Sequence, residues 1–297
     1  MGTCVTIQVV GHGSHRHGNR QELVERALGW FHQVEECCTR FDARSELMQL
    51  TTRIGVAVPV SALLFQAVQF ALAVAEDTDG AFDPTIGTSM ETRGFDREHR
   101  TGQVIRSGIE PGRDVSYRDV ELDPAANTIR LRRPLVLDLG AVAKGLAIDM
   151  AAQELRPQEH FAINAGGDLY VAGHNPDHEP WSVGIRHPRH DHEIFASFRA
   201  SNQAICTSGD YERRSPADGG VHHILDPRTD ASPHALASVT VVAPTAMVAD
   251  ALATAAFVLG PDEGIKLLER QGVEGLAISP SLERFATSRM FPDDPAR

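Results

Sequence analysis

Residues 137–149 read LDLGAVAKGLAID, and this short stretch has the character of a ligand-binding turn. The apolar run at 135–139 resembles a strand that breaks at Gly140, and helical periodicity resumes over 143–155. Such an entry directs backbone N–H groups and the positive end of a helix at whatever binds there. Lys144 adds a full positive charge. The stretch predicts an anion site, with phosphate the leading candidate, although many strand–helix turns carry Gly and Lys for structural reasons alone.

The elements predicted on both sides of this stretch favour an α+β fold. Strands come in runs and helices in pairs rather than in strict alternation, which is typical of mostly antiparallel sheet with flanking helices. Ser61 is expected to cap a helix that ends at the breaker 77–80, and residues 90–117 are expected to be a long surface excursion. We predict a single domain over residues 1–297. The predicted strands are 3–10, 117–122, 128–131, 135–139, 161–164, 169–172, 181–186, 193–199, 204–207, 238–242, 276–279 and 284–287, and the other predicted helices are 22–38, 143–155, 245–259 and 262–271.

Composition narrows the class of protein and its partners. The chain has 297 residues, 42% of them hydrophobic and 23% charged, with a net charge of −12. The acidic balance argues against nucleic acid or an anionic membrane as a partner. No apolar run approaches the roughly 20 residues of a membrane span, and no signal peptide is visible. The four cysteines lack zinc-site spacing, so the expected location is a reducing cytoplasm.

Asp250 and Thr254 lie four residues apart on a predicted apolar helix. Residues at this spacing share one helix face. A carboxylate and a hydroxyl together suit a hard cation such as Mg²⁺, which is held by one or two carboxylates and by substrate phosphates. Alternatively, Asp250 is exposed near the helix N-terminus, where a negative charge is favourable anyway. The residue chemistry leaves both interpretations open.

Two glycine-rich segments could admit a ligand close to the backbone. The first, 80–87, contains Asp83 before a proline, and an ordinary Asp-Pro turn explains it equally well. The second, 164–168, lies between two predicted strands, where a Gly-Gly hairpin is expected. Each segment therefore has a structural interpretation beside the functional one.

Two polar segments in the second half of the chain could contain catalytic residues. Ser208 invites a hydrolase interpretation, but the G-x-S-x-G elbow is absent. In residues 222–229, HHILDPRT, an imidazole stands near a carboxylate and a guanidinium. If this segment forms a strand, Ile224 points inward and His223 faces the other way, so the adjacent histidines do not share a metal.

Taken in order, these segments resemble the ApbE family, the FAD:protein FMN transferases. The resemblance covers nearly the whole chain, and it is the order of the segments that makes it specific. The matching segments are 1–3, 41–47, 80–87, 137–149, 164–168, 207–213, 223–229 and 249–255.

The resemblance implies an α+β fold with a cleft that holds FAD, and Mg²⁺ on the FAD pyrophosphate. It also implies transfer of FMN to a Ser or Thr hydroxyl of an acceptor protein, with release of AMP. The Mg²⁺ ligands that it implies are Asp250, Thr254 and the backbone carbonyl of Ala141. The FAD contacts that it implies are Met1, Phe41, Ala81, Phe82, Asp83, Asp138, Lys144 and Ile224. For proton transfer it points to His223 and Asp138.

The physical chemistry of these residue types agrees with that interpretation. Mg²⁺ and Lys144 would neutralise charge on a breaking pyrophosphate, and an imidazole such as His223 titrates near neutrality, as a general base should. Two alternatives remain: an Mg²⁺-dependent FAD pyrophosphatase that uses water, and a non-catalytic FAD-binding protein. The chain also departs from the family pattern: Ala253 stands where some members have a second carboxylate, and Asp230 stands where the turn usually ends in a glycine, which suits a left-handed conformation.

Overall fold

We describe the protein from a computed structural model, which covers residues 2–11, 20–99, 101–110, 112, 114–213, 215 and 221–291. The chain divides into two compact units. Unit 1 comprises residues 1–2, 32–143 and 213–232, and unit 2 comprises 3–31, 144–212 and 233–297. The predicted α+β class with mostly antiparallel sheet is confirmed. The assignment of one domain to residues 1–297 stays a prediction.

Unit 2 is built on a seven-stranded sheet in which every neighbouring pair of strands is antiparallel. In spatial order its strands are β1 (Val5–Val9), β5 (Phe161–Ala165), β6 (Asp168–Ala172), β9 (Gln203–Gly209), β10 (Ser238–Ala243), β11 (Glu274–Ile278) and β12 (Arg284–Ala286). A separate two-stranded hairpin is formed by β7 (Trp181–Arg186) and β8 (Ile194–Ala200). It contributes Trp181, Val183 and Ile185 to a hydrophobic core that also contains residues of the seven-stranded sheet. All six residues of β10 are buried, as expected for a central strand.

Three helices of unit 2 carry or support the predicted site residues. They are α5 (Ala143–Glu154), of which Ala143 is counted with unit 1, α6 (Ala246–Leu259) and α7 (Pro261–Arg270). Helix α6 is alanine-rich and packs against both β9 and β10. Its small side chains allow close approach to the sheet, which brings the polar groups of α6 and β9 within reach of each other.

Unit 1 contains a three-stranded antiparallel sheet and three helices. The strands, in spatial order, are β2 (Ala57–Pro59), β4 (Thr128–Leu131) and β3 (Val120–Asp123). The helices are α2 (Glu46–Thr51), α3 (Ala62–Asp77) and α4 (Gly87–Thr92), and the end of α1 (Arg20–Cys38) from residue 32 is also counted with this unit. Ser61 caps α3 as predicted, because its Oγ accepts a hydrogen bond from the Leu64 N–H at 3.2 Å.

The predicted strand over 135–139 is wrong. This segment makes only a single parallel bridge, between Val136 and Ile86. Pairing cannot continue, because Pro84 lacks an N–H and the neighbouring chain turns into α4 at Gly87. Instead, the Asp138 N–H donates to the Pro84 carbonyl at 2.7 Å, which fixes the extended chain without a ladder. Four short elements were not predicted, namely α2, α4, β2 and a 3₁₀ helix at Tyr117–Asp119, which replaces the first half of the strand predicted at 117–122.

Among the described residues, no helix combines the length and the apolar character that crossing a membrane requires.

Candidate functional site

The residues predicted to form the site fall into two groups, one in each unit. Unit 2 contains Lys144, Asp250 and Thr254, and unit 1 contains the other predicted site residues that the structure describes. Each group is built from contacts within its own unit.

In unit 2, helix α5 packs closely on the start of α6. A Cβ on Gly145 would lie 2.5 Å from the Ala246 carbonyl oxygen, so only glycine permits this approach. One turn later, Asp149 accepts hydrogen bonds from the backbone N–H groups of Ala246 at 2.7 Å and Met247 at 2.9 Å. These groups are among the unpaired donors at a helix start, so Asp149 acts as the cap that Thr245 does not provide. Gly145 and Asp149 therefore fix the register of α5 against α6.

This register places Lys144 beside two carboxylates. Its Nζ donates to Oδ2 of Asp168 and lies 3.5 Å from Oδ1 of Asp250. The other carboxylate oxygen of Asp168 accepts the Thr207 N–H at 2.9 Å. Asp168 follows the two-residue turn at Gly166 and Gly167, both with positive φ, so the predicted Gly-Gly hairpin is confirmed.

Asp250 is buried, with only 5% of its surface exposed, and it faces the polar groups of unit 2. The alternative interpretation, an exposed helix-start acid, is wrong because tight packing of α6 on the sheet covers the first turns. Its Oδ2 has no hydrogen-bond partner among the described residues. One turn along α6, the Thr254 hydroxyl oxygen lies 3.0 Å from the Ser208 hydroxyl of β9, and the two are hydrogen-bonded.

These groups fit a hard cation with few protein ligands. The described residues contain no cluster of three or more His, Cys, Asp or Glu side chains that could hold a metal. A buried carboxylate oxygen without a partner is costly, and a cation beside it would remove that cost. One carboxylate and a hydroxyl on the same helix face match the sparse, oxygen-only set that Mg²⁺ accepts when substrate phosphates supply other ligands. Ala253 is fully buried among apolar neighbours and adds no ligand.

In unit 1, Asp138 forms a nearly buried ion pair with Arg40. The Arg40 Nε donates to Oδ2 of Asp138 at 2.5 Å, and Nη2 donates to the Phe95 carbonyl. Oδ1 of Asp138 accepts the Gly140 N–H at 2.7 Å. The guanidinium also lies 4.2 Å from the ring centre of Phe41. One arginine thus connects two of the predicted site residues, Phe41 and Asp138.

These contacts decide the charge of Asp138. Burial alone would raise its pKa, but the positive charge of Arg40, the Gly140 N–H and the more distant charge of Arg213 bring the pKa below its ordinary value. Asp138 is therefore a carboxylate at neutral pH, and a weak base.

The carboxylate of Asp83 is held by protein donors. Oδ1 accepts the N–H and the hydroxyl of Thr85 at 2.8 and 2.7 Å, and Oδ2 accepts the Tyr117 N–H at 2.9 Å. Burial raises the pKa of Asp83 while these donors oppose the shift. Asp83 thus fixes the 80–87 turn against Tyr117, which lies just before β3. Ala81 and Phe82 beside Asp83 are buried.

The strand considered for residues 222–225 does not form. Ile224 and the adjacent Leu225 are both buried, with 4% of each exposed, so burial does not alternate here. The turn that follows explains this, because the chain closes on itself through an antiparallel bridge between Asp226 and Ala231. The His223 N–H donates to the Arg213 carbonyl at 3.1 Å, and the His223 side chain is partly exposed.

Asp230 ends this turn in the left-handed region, with φ of 54°. This conformation is the one that the sequence predicts to favour glycine at the position. Arg93 of the same unit donates to the Asp230 backbone carbonyl, and its Nη2 also lies 3.2 Å from Oδ2. The turn therefore forms without a glycine, and Arg93 stabilises it through contacts with both the backbone carbonyl and the carboxylate of Asp230.

Met1 and Ala141 are the remaining predicted site residues. Met1 lies outside the described residues. Ala141 lies in the loop before α5, where the N–H groups of Val142 and Ala143 donate to the Leu139 carbonyl, at 3.0 and 2.8 Å.

Three residues of these groups were not among the predicted site residues: Arg40, Asp168 and Ser208. Arg40 is 98 residues from Asp138, and no local pattern marks the pair. Asp168 and Ser208 belong to segments that the sequence singles out, but their partners Lys144 and Thr254 emerge only from packing.

Comparison with known proteins gives consistent matches. The family model described as ApbE family matches residues 1–277. The FAD:protein FMN transferase of Haemophilus influenzae is 28% identical, over 92% of this chain and 82% of its own length. The crystal structure of the ApbE protein of Thermotoga maritima has a TM-score of 0.84 at 30% identity, covering 98% of this chain and 95% of that one. The flavin transferase ApbE of Vibrio cholerae has a TM-score of 0.83 at 26% identity, covering 98% and 96%.

Proposed function

Because this chain belongs to the ApbE family, we propose that it transfers FMN from FAD to a Ser or Thr hydroxyl of an acceptor protein and releases AMP. The family and the transferase class predicted from the sequence are confirmed by the match and the relatives. The named substrates belong to those relatives, and the proposal extends them to this chain.

The structural observation that carries the proposal is the unpartnered Oδ2 of Asp250 one turn from the Thr254 hydroxyl. We assign these two side chains as Mg²⁺ ligands. The Ala141 carbonyl, the third expected ligand, remains a prediction from the resemblance. When bound, Mg²⁺ supplies charge neutralisation on the pyrophosphate oxygens.

Lys144 contributes positive charge at the start of α5, and Asp168 holds its ammonium group. Apart from Lys144, and from Met1 outside the described residues, the proposed FAD contacts belong to unit 1. Arg40 contacts both Asp138 and Phe41 and keeps them in position, so this part of the proposed FAD site needs no reorganisation. The proposed FAD contacts are Met1, Phe41, Ala81, Phe82, Asp83, Asp138, Lys144 and Ile224.

In the proposed reaction, the acceptor hydroxyl oxygen forms a bond to the phosphorus of the FMN half. The bond from that phosphorus to the bridging oxygen breaks, and AMP leaves with the electron pair. The hydroxyl proton passes to a base. His223 and Asp138 are the proposed proton acceptors, and His223 is favoured because the pKa of Asp138 lies below its ordinary range. Positioning and electrostatics account for the rest of the rate, as in phosphoryl transfer generally.

The proposal is tested by incubating the protein with FAD and Mg²⁺, with and without a threonine-bearing acceptor peptide. We expect AMP and a peptide that has gained the mass of FMN. AMP without a modified acceptor would instead support an FAD pyrophosphatase. FAD that stays bound and intact in both samples would support a flavin-binding protein.

A further inference from the structure

The ammonium group of Lys144 lies between two buried carboxylates of unit 2. Nζ donates to Oδ2 of Asp168 and lies 3.5 Å from Oδ1 of Asp250. The side chains of Asp168 and Asp250 are 3% and 7% exposed, so water screens neither of them well. Buried carboxylates require compensation, and a single positive charge here serves two of them.

The two carboxylates are compensated unequally. Asp168 uses both oxygens, one for Lys144 and one for the Thr207 N–H at 2.9 Å. Asp250 has only the longer contact from Lys144 to Oδ1, and its Oδ2 has no partner among the described residues. Asp250 is therefore the carboxylate with capacity for a second cation, and Asp168 is the one that retains Lys144.

We propose that the ammonium of Lys144 competes with a divalent cation for Asp250, and that Asp168 holds the ammonium when the cation binds. This inference rests on the proposed function, which assigns Asp250 to Mg²⁺. Like charges a few ångströms apart repel strongly in a poorly screened site. Lys144 thus weakens metal binding in the absence of substrate. Anionic phosphate oxygens would offset that repulsion, which couples metal binding to FAD binding reciprocally.

The test is the affinity for Mn²⁺ without FAD, measured from the electron paramagnetic resonance signal of free Mn²⁺. We expect Lys144→Met to tighten binding by about tenfold, because it removes the competing charge. We expect Asp168→Asn to weaken binding by about threefold or more, on the same electrostatic grounds. The amide oxygen still accepts from Thr207, but Lys144 loses its anionic partner and shifts its charge to Asp250.

The opposite signs separate competition from damage to the fold, since loosened packing would weaken Mn²⁺ binding in both variants. Lys266→Met is the matched control, because Lys266 is exposed on α7 and its ammonium pairs with the exposed Glu263 at 2.8 Å. Its Mn²⁺ affinity should equal that of the wild-type protein.

Asp250→Asn separates the competition by Lys144 from the assignment of Asp250 as a metal ligand. If Asp250→Asn abolishes Mn²⁺ binding but Lys144→Met does not tighten it, the competition is overturned and the metal assignment stands. If Asp250→Asn binds Mn²⁺ as strongly as wild type, the metal assignment fails and the competition fails with it.

Discussion

The carboxylate of Asp149 on α5 caps helix α6 at Ala246, with 2.7 Å between Oδ1 and the Ala246 nitrogen. The second oxygen accepts the next backbone N–H along α6, at 2.9 Å. A cap supplied by a neighbouring helix does more than satisfy two donors, because it also fixes the relative register of the helices. That register sets the position of Lys144 relative to Asp250.

The first prediction concerns the pH dependence of stability. Burial raises the pKa of Asp149 to about 6, from 3.8 in the unfolded chain, and the nearby charge of Asp250 adds to the shift. Because the folded-state pKa is the higher one, the folded state binds more protons across this window. The contribution of Asp149 is thus fully present below pH 3.8 and is lost as the pH rises through about 6.

Asp149→Asn should remove this dependence. The free energy of unfolding of wild type should fall relative to that of the variant by about 2–3 kcal/mol between about pH 4 and about pH 7. Urea melts of both proteins across this range measure the difference. Parallel pH profiles would show that Asp149 does not titrate in this window. Gln153→Ala, an exposed change on the same helix, is the control and should follow wild type.

A second prediction concerns the ion pair of Arg40 and Asp138. Arg40→Met leaves the Asp138 carboxylate poorly solvated and without its cation, which should cost about 3 kcal/mol of unfolding free energy. Arg40→Lys should recover only part of this, because it retains the charge but not the fork that reaches both Asp138 and the Phe95 carbonyl. Denaturant melts of the three proteins measure these differences in unfolding free energy. Equal stability of Arg40→Met and wild type would contradict the predicted role of the ion pair.

A third prediction addresses the proposed metal ligand. Asp250→Ala should abolish Mg²⁺-dependent AMP release from FAD while the circular dichroism spectrum stays that of the folded protein. The reason is that the remaining proposed ligands, the Thr254 hydroxyl and the Ala141 carbonyl, are neutral and do not replace the charge of the carboxylate. Asp262→Ala, an exposed acid in the first turn of α7, serves as control and should retain activity. Undiminished AMP release by Asp250→Ala would remove the residue from the metal site.

A fourth prediction addresses the proposed base. His223→Ala should still bind FAD, as measured by flavin fluorescence, but transfer FMN about a hundredfold more slowly or worse. The control is His32→Ala, which changes an exposed histidine on α1. A wild-type rate in His223→Ala would assign proton transfer elsewhere.

Local patterns in the sequence predicted much of this fold, for identifiable physical reasons. The cap at Ser61, the Gly-Gly turn before Asp168 and the helical spacing of Asp250 and Thr254 depend on residues close together in the chain. The strand at 135–139 was wrong because strand formation needs a partner, and the partner turns into α4. An apolar run in the sequence gives no information about the length of the segment with which it would pair as a strand.

The candidate site was less accessible to prediction. The partners Arg40 and Asp138 are 98 residues apart, and Lys144 and Asp250 are 106 apart, so neither pairing leaves a trace in local spacing. The burial of Asp250, which chemistry alone left open, follows from the packing of an alanine-rich helix on the sheet. Long-range pairing of charges is what the three-dimensional structure adds.

Transfer of FMN that is coupled to AMP release is tested by the stoichiometry of the two products. Wild-type protein is incubated with FAD, Mg²⁺ and a threonine-bearing acceptor, and AMP is quantified alongside the intact mass of the acceptor. We expect equimolar AMP and FMN-modified acceptor, with neither formed by Asp250→Ala. AMP that accumulates while the acceptor keeps its original mass would contradict the proposed transfer.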